Sequence, residues 1–239
     1  MGLALPVGAN LDKHQQEEKL DQSQLFTNNK YSGRPSESMD TFDAIRERRS
    51  VKNYDPNHKF TDGEVNQLMS LAVLSPTSFN MQNWRFVIVK DAEKRKQIRA
   101  AAWDQAQITD ASLLLVVCAD LKSWKDSPGQ YWKNVPKEAQ DFLVSAMVPF
   151  YEGNDGLQRD EAMRSCGIAA QTIMLAAKSM GYDSNPMIGF DPNKVSQIIN
   201  LPENHIISML IAVGKQTKPA MPRGGQLPLE KVVFTDRFP

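Results

Sequence analysis

A compact group of basic residues is the first feature of this sequence that could bind a ligand. Arg48, Arg49 and Lys52 lie within five residues, together with the hydroxyl of Ser50. Guanidinium groups present forked donors that match a phosphate. A run of charge near a helix end is also a common solvated surface that complements the helix dipole. Spacing alone favours the solvated surface, so an anion site needs support from elsewhere in the chain.

Three other parts of the chain, together with the single amide of Gln105, offer that support. Residues 75–82 carry hydroxyls and amides without charge, which suits a neutral heteroaromatic edge or a ribityl chain. Gln105 adds an amide, and Arg223 adds a late cation. Residues 186–189 offer backbone N–H groups, and Gly189 allows a flat ring to approach closely. A phosphate, a polyol and a flat ring together describe FMN.

Familiar catalytic motifs are missing from the sequence. It contains no G-x-G-x-x-G, no P-loop, no H-E-x-x-H and no G-x-S-x-G. His14, His58 and His205 are far apart in polar surroundings, and the last two are more typical of exposed turns than of catalytic bases. No catalytic side chain is therefore predicted, and a bound cofactor would carry the chemistry of an enzyme.

Composition narrows the class of protein. The 28 basic and 28 acidic side chains give no net charge, which argues against a general nucleic-acid partner. No apolar run approaches the roughly 20 residues that span a bilayer, so no membrane partner is expected. Cys118 and Cys166 lie in apolar stretches without metal-ligand spacing. Free thiols and a cytoplasmic location are expected, with no metal.

The chain of 239 residues is interpreted as one domain with an extension. Residues 1–38 are polar, and Met39 resembles a fresh start. We expect residues 1–38 to be a loosely attached extension, native or artificial, and residues 39–239 to be the single domain. A protein trimmed to begin near Met39 is expected to keep its fold and activity.

Capping residues and apolar spacing predict the first two helices of the domain. A short helix capped at Asp40 or Thr41 is predicted to end near Arg48, with Phe42 and Ile45 facing inward. Residues 61–64 form a capping-box pattern that starts a second helix.

Later segments predict the centre of the fold. Aliphatic runs predict buried strands at residues 86–89, 113–119 and 206–213. Residues 158–180 predict a long helix of small residues that Gly181 ends, at the domain centre or a dimer interface. The aromatic residues of segment 120–157 predict helical excursions that form a lid or simply pack on the core. Residues 232–234 predict a strand that joins a sheet in this or a neighbouring subunit.

In this order and spacing, the four polar stretches resemble the FMN-dependent nitroreductase family, over residues 39–239. The resemblance rests on residues 48–55, 75–84 and 186–191 and on the tail at Arg223. It implies an α+β fold in which helices surround a central, mainly antiparallel sheet. It also implies an intertwined homodimer with C-terminal strand exchange and FMN at the interface.

The resemblance implies roles for individual residues around FMN. Arg48, Arg49 and Ser50 would bind the phosphate and ribityl region, and Lys52 would lie near the N1/O2 edge of the ring. The remaining expected contacts are Pro76, Thr77, Ser78 and Asn80 from the other subunit, Gln105 at the pyrimidine edge, Met187, Ile188 and Gly189 at the N5 side, and Arg223.

Two positions depart from the family pattern. Many relatives carry Glu where this chain has Ile188. The C-terminal phosphate ligands of the family are often two basic residues one apart, whereas residues 224–226 after Arg223 are uncharged.

The implied activity is a ping-pong transfer of two electrons from NADH or NADPH, through flavin N5, to a nitroaromatic or quinone acceptor. Two alternatives stay open. One is a related flavin enzyme of the same fold, such as a dehalogenase or a ring oxidase. The other is a flavin-binding protein without physiological turnover. The choice of nicotinamide and the natural acceptor also stay open.

Overall fold

The structure is a computed structural model that describes residues 39–238. At its start, the Ser179 hydroxyl donates to the Met39 carbonyl at 2.7 Å, which ties the first described residue to the body of the domain. The predicted extension at residues 1–38 lies outside the described residues, so its loose attachment stays a prediction.

A four-stranded antiparallel sheet forms the centre of the molecule, in the order β1-β2-β4-β3. The strands are β1 (Trp84–Ile88), β2 (Leu113–Asp120), β3 (Asp183–Met187) and β4 (His205–Gly214). All residues of β2 are buried, because helices cover both faces of the sheet. The three strands predicted from aliphatic runs are confirmed, and β3 is a further edge strand.

Helices surround the sheet. They are α1 (Thr41–Glu47), α2 (Asp62–Ala72), α3 (Ala92–Ala100), α4 (Gln107–Asp110), α5 (Lys137–Tyr151), α6 (Asp155–Ser179) and α7 (Pro192–Ile198). On one face α2 and α6 pack against β2 and β4, and on the other face α3, α4 and α7 do so. The predicted α+β class is confirmed.

Helix α6 is the central helix of the first face. It begins where the Asn154 side chain accepts a hydrogen bond from Leu157 N, and it ends before Gly181, whose φ of +79° suits a glycine. Its inner stripe includes Ala162, Ala169 and other small residues, which allow close packing on the sheet. The predicted long helix at the domain centre is confirmed.

The start of the domain corrects one prediction. Asp40 caps α1 by accepting from Asp43 N at 3.0 Å, as expected. However, Phe42 is 72% exposed and Ile45 is 50% exposed, so the inward face predicted for them is wrong for this chain. In α1 only Ala44 is buried. Spacing shows which residues share a helix face, but in a helix this short it does not show which face meets the core.

The C-terminal tail also differs from its expected form. Within the described chain, residues 215–238 form no strand, and one short 3₁₀ turn (Leu229–Lys231) precedes the predicted segment 232–234. Because a strand needs a hydrogen-bonding neighbour, an isolated tail cannot form one. Strand exchange therefore stays a prediction. No helix in residues 39–238 has the length and apolar character that crossing a membrane requires.

The two cysteines support a simple prediction. Cys118 on β2 and Cys166 on α6 are buried free thiols, and burial raises the pKa of each to about 12. Because only an accessible thiolate reacts, a thiol reagent at pH 8 is expected to leave the folded protein unlabelled. Unfolding in urea should then expose two reactive thiols per chain. Equally rapid labelling of folded and unfolded protein would contradict this burial.

Candidate functional site

The basic segment lies beside β3, at one edge of the sheet. Val51 N donates to the Ser184 carbonyl at 3.1 Å, and Ser50 pairs with Ser184 in a parallel bridge. Val51 is buried by this pairing, while Ser50 and Lys52 on either side of it are exposed. The alternation of an extended segment thus turns the hydroxyl and the ammonium group away from the core.

The C-terminal tail folds back onto the same segment. Arg223 Nη2 donates to the Arg46 carbonyl at 2.9 Å, and Arg49 donates to the Met221 carbonyl. These contacts bring Arg223 next to Arg48 and Arg49, although the tail is far away in sequence. Main-chain carbonyls fix the guanidinium groups without neutralising their charge.

We call Arg48, Arg49, Lys52 and Arg223 the cationic cluster. None of the four has a carboxylate within 4.0 Å among residues 39–238, whereas the neighbouring Arg46 is paired with one at 3.2 Å. Burial, followed by the charges of Arg223 and Arg49, lowers the pKa of Arg48. Arg48 Nη1 is itself buried and has no hydrogen-bond partner in the described part of the chain.

A buried cationic nitrogen without a partner is unfavourable unless an anion completes it. The solvated-surface interpretation of residues 48–52 does not account for such an atom. The cationic cluster therefore has the chemistry of an anion site, with forked donors suited to a phosphate.

A second polar group lies where β3 ends. Met187 is its last residue, and the exposed Ile188 and the half-buried Gly189 follow. Gln105 Nε2 donates to the Gly189 carbonyl at 2.8 Å, and Gln107 Nε2 donates to Gln105 Oε1 at 2.9 Å. The backbone N–H groups of Ile188 and Gly189 donate to no acceptor within residues 39–238, so they can bind a ligand.

The two polar groups share one sheet edge. Ser184 and Gly189 are five residues apart along nearly extended chain, a span of about 16 Å. The structure thus brings together nine of the expected site residues along the β3 edge. They are Arg48, Arg49, Ser50, Lys52, Gln105, Met187, Ile188, Gly189 and Arg223.

The polar loop, residues 75–82, has a constrained backbone. Phe79, Asn80 and Gln82 have φ values of +49°, +48° and +43°, the left-handed region that non-glycine residues seldom adopt. Gln82 N donates to Thr77 Oγ1 at 3.0 Å, which closes the loop on itself. Such a backbone persists only where its surroundings hold it, and it often marks a binding segment.

A carboxylate buried on α6 holds the polar loop from below. Glu161 Oε1 accepts from Ser78 N at 3.2 Å and from the Ser165 hydroxyl at 3.0 Å. Arg164 donates to the other carboxylate oxygen, and the Tyr151 hydroxyl donates to Ser78 Oγ at 2.8 Å. Glu161 is thus a fully bonded support beneath the loop.

The polar loop and the cationic cluster lie at diagonal corners of the sheet. The loop precedes β1, and the cluster lies on β3, which is the opposite edge, three strand spacings or about 14 Å away. Along the strands, Trp84 is level with Ile206 of β4, while Ser184 is level with Val213, which adds about 23 Å. One chain therefore leaves Pro76, Thr77, Ser78 and Asn80 about 27 Å from the Ser184 end of the β3 edge, and about 19 Å from Met187, which is level with Leu210 of β4.

Known proteins were compared with this architecture. Residues 45–215 match the sequence profile described as the nitroreductase family. This chain belongs to the nitroreductase family. The resemblance first drawn from residues 48–55, 75–84 and 186–191 is thereby confirmed.

Relatives from the nitroreductase family align with most of this chain. Protein DrgA from Synechocystis sp. is 50% identical over 200 residues, covering 82% of this chain and 95% of the relative. An oxygen-insensitive NADPH nitroreductase from Helicobacter pylori is 32% identical over 200 residues, covering 80% and 94% of the two chains. A nitroreductase-family protein from Exiguobacterium sibiricum, solved in complex with FMN, aligns with a TM-score of 0.78 and 26% identity over 83% of this chain and 98% of its own.

Two residues of this nitroreductase-family site were not predicted from the sequence. Glu161 had a readable signal, because it is a charged residue on the same helical stripe as Ala162 and Ser165. Trp103 had none, since its indole meets Gly189 through a contact between distant parts of the chain. Both residues act on backbone that the sequence assigned to the site.

The histidines need one correction. His58 Nδ1 lies 2.9 Å from the Ser112 hydroxyl, and His205 is the first residue of β4. Both side chains are half-buried, so the prediction of exposed turn residues is wrong. Within residues 39–238, no group of three or more His, Cys, Asp or Glu side chains is arranged to hold a metal ion.

Proposed function

We propose that this protein is an FMN-dependent oxidoreductase that transfers two electrons from NADH or NADPH to nitroaromatic or quinone acceptors in a ping-pong cycle. The observation that carries the proposal is the cationic cluster, in which buried Arg48 Nη1 has no hydrogen-bond partner among residues 39–238. The NADPH nitroreductase from Helicobacter pylori and the FMN complex from Exiguobacterium sibiricum support the same cofactor and reductant.

The cationic cluster fits the phosphate of FMN. Arg48, Arg49 and Arg223 would share the phosphate oxygens, and Ser50 adds an exposed hydroxyl on the same segment. Charge-assisted contacts of this kind are among the stronger hydrogen bonds in proteins. One cation from the tail thus takes the place of the paired basic residues common in the family.

The end of β3 fits the ring of FMN. Ile188 and Gly189 offer two N–H groups that bind no acceptor in the described part of the chain, and Gln105 fixes the peptide between Gly189 and Phe190 through the Gly189 carbonyl. The span of about 16 Å from Ser184 suits a phosphate, a ribityl chain and a ring laid along the sheet edge. Lys52, exposed on the same side as Ser50, would supply positive charge that stabilises an anionic reduced cofactor.

Bound FMN would supply the chemistry, accepting hydride from NAD(P)H and passing two electrons to the acceptor. The groups along the β3 edge are cations, amides and backbone N–H groups. Such groups bind and orient a cofactor. The chain's own part is therefore positioning and charge, and none of its side chains is assigned a catalytic role.

We also propose a homodimer with FMN between the subunits. The polar loop is about 27 Å from the phosphate end and about 19 Å from the ring end of the site on its own chain, so it would reach the cofactor only across an interface. The large apolar side chains of Phe42, Ile45 and Leu74 are exposed on this chain. So are several apolar side chains of the C-terminal tail. Large apolar side chains exposed in this number would be better buried in an interface.

Steady-state kinetics test the proposed cycle. Initial rates of NADPH oxidation are expected to give parallel double-reciprocal lines at several fixed quinone concentrations, because nicotinamide leaves before the acceptor binds. Intersecting lines would contradict the ping-pong order. Bound flavin with no NADH or NADPH turnover would instead favour the open alternatives, a related flavin enzyme or a flavin-binding protein.

A further inference from the structure

An exposed indole projects from the short segment between α3 and α4. Trp103 is 79% exposed, and its φ of +53° is followed by +55° at Asp104, so two non-glycine residues in succession adopt the left-handed region. Arg99 Nε donates to the Asp104 carboxylate at 2.7 Å, and Asp104 N donates to the Arg99 carbonyl at 3.1 Å. The unusual backbone that displays Trp103 is therefore held by specific contacts.

Hydrogen bonds on both sides of Trp103 join this segment to the end of β3. On one side, Asp191 N donates to the Ala101 carbonyl at 2.8 Å. On the other, Gln105 Nε2 donates to the Gly189 carbonyl at 2.8 Å. The backbone that carries Trp103 is thus fixed relative to the N–H groups of the candidate site, although the indole itself is mostly exposed.

The ring lies directly on Gly189. A Cβ atom at this position would be 2.3 Å from Trp103 Cζ3 and 2.8 Å from Cε3, closer than any side chain tolerates. Glycine is therefore required for the indole to occupy its place. Ile188, the preceding residue, is 80% exposed, so an apolar aromatic and an apolar aliphatic side chain adjoin the free N–H groups.

We propose that Trp103 is a specificity-determining residue that forms one wall of the acceptor site and selects flat, uncharged aromatic acceptors. This inference rests on the proposed function, since it assigns Gly189 to the reacting end of the cofactor site. A rigid indole gains from stacking on planar rings, whatever their substituents. Trp103 and Ile188 carry no charge, and the neighbouring Asp104 carboxylate is already paired with Arg99 at 2.7 Å, so the wall offers no unpaired charge that would recognise an anionic or cationic acceptor.

Three variants of the FMN-loaded protein test this assignment. Trp103→Ala removes the wall, Trp103→Phe keeps a smaller aromatic face, and Phe142→Ala removes an aromatic that is similarly exposed, at 71%, on α5. Each is assayed with NADPH and either a bicyclic quinone or ferricyanide, which is small and lacks a flat ring. Bound FMN and the midpoint of thermal unfolding check that each variant is folded.

Trp103→Ala is expected to lower kcat/KM for the quinone about tenfold, the loss of one stacking contact, and to leave kcat/KM for ferricyanide within about twofold. Trp103→Phe should recover most of the loss, and Phe142→Ala should match the wild type. The rate at which NADPH bleaches the flavin is measured separately, because a flat nicotinamide also binds at this end of the site, and it should not change in Phe142→Ala. This pattern separates acceptor selection from a structural role.

Other results would overturn the inference. An active Trp103→Ala enzyme with the wild-type ratio between the two acceptors would refute this inference and leave the proposed function standing. Equal losses with both acceptors would assign Trp103 a structural role instead. A change of the ratio in Phe142→Ala but not in Trp103→Ala would place the wall on α5. Wild-type protein that turns over neither acceptor would refute the proposed function, and this inference with it.

Discussion

Replacing Arg48 and Arg49 together by alanine is expected to weaken FMN binding about 10²- to 10⁴-fold. Each substitution removes a charge-assisted contact to the phosphate, worth about 1.5–3 kcal/mol. The measurement is a fluorescence titration of flavin-free protein with FMN. A parallel titration with riboflavin, which lacks the phosphate, should show little difference between the double variant and the wild type.

The adjacent Arg46 offers a matched control for this experiment. It lies on α1 and is basic and exposed, but it is already paired with Asp43 at 3.2 Å. Arg46→Ala is expected to leave FMN affinity within about twofold, since a surface ion pair contributes little. Equal FMN affinity in the double variant and the wild type would show that the phosphate lies elsewhere. Equal losses for FMN and riboflavin would point to a general disturbance of the site.

Replacing Glu161 by alanine is expected to lower the free energy of unfolding by about 2–4 kcal/mol and to loosen the polar loop. The substitution leaves Ser78 N, the Ser165 hydroxyl and the Arg164 guanidinium without their acceptor. Because the loop contains three left-handed residues, it depends on such support. Urea unfolding gives the stability, and amide exchange of residues 75–82 reports the loop.

Two further variants sharpen the Glu161 experiment. Glu161→Gln keeps an oxygen that can accept from Ser78 N and Ser165, so it should lose less than half as much stability as the alanine variant. Glu152→Ala changes an exposed glutamate just after α5 and should stay within about 0.5 kcal/mol of the wild type. If the Glu161→Ala protein were as stable as Glu152→Ala and amide exchange in the loop were unchanged, Glu161 would not support the loop.

Local signals in the sequence were sufficient for the sheet and the main helices. The aliphatic run of β2 predicts a strand buried on both faces, and Thr61 with Glu64 forms the expected capping box at the start of α2. Gly181 ends α6 with a positive φ, as its position after a helical stripe predicts. These features depend on neighbours in sequence, so their physical causes are visible in a short window.

Features that depend on distant contacts were not predictable in the same way. The pairing of Ser50 with Ser184 places the cationic cluster on the β3 edge, and nothing local in either segment indicates it. The return of Arg223 to the Arg46 carbonyl is a similar case. The outward face of Phe42 depends on what α1 packs against, which spacing does not encode.

The candidate site shows the same division. The sequence identified which groups suit a phosphate, a polyol and a ring, because that inference depends on residue types. It could not show that the polar loop lies at the far corner of the sheet, because strand order decides this. Nor could it show that the Trp103 indole covers Gly189. That contact depends on the left-handed backbone of Trp103 and Asp104, which no glycine in the sequence indicates.

The absorption spectrum of the purified protein under anaerobic conditions tests the central claim most directly. We expect a visible flavin band that NADH or NADPH bleaches and that a quinone or nitroaromatic then restores, and we expect denaturation to release the flavin as FMN. The cationic cluster and the free N–H groups of Ile188 and Gly189 are the reasons to expect tight binding of FMN. A protein that stays colourless after incubation with FMN, or a bound flavin that neither NADH nor NADPH bleaches, would contradict the account.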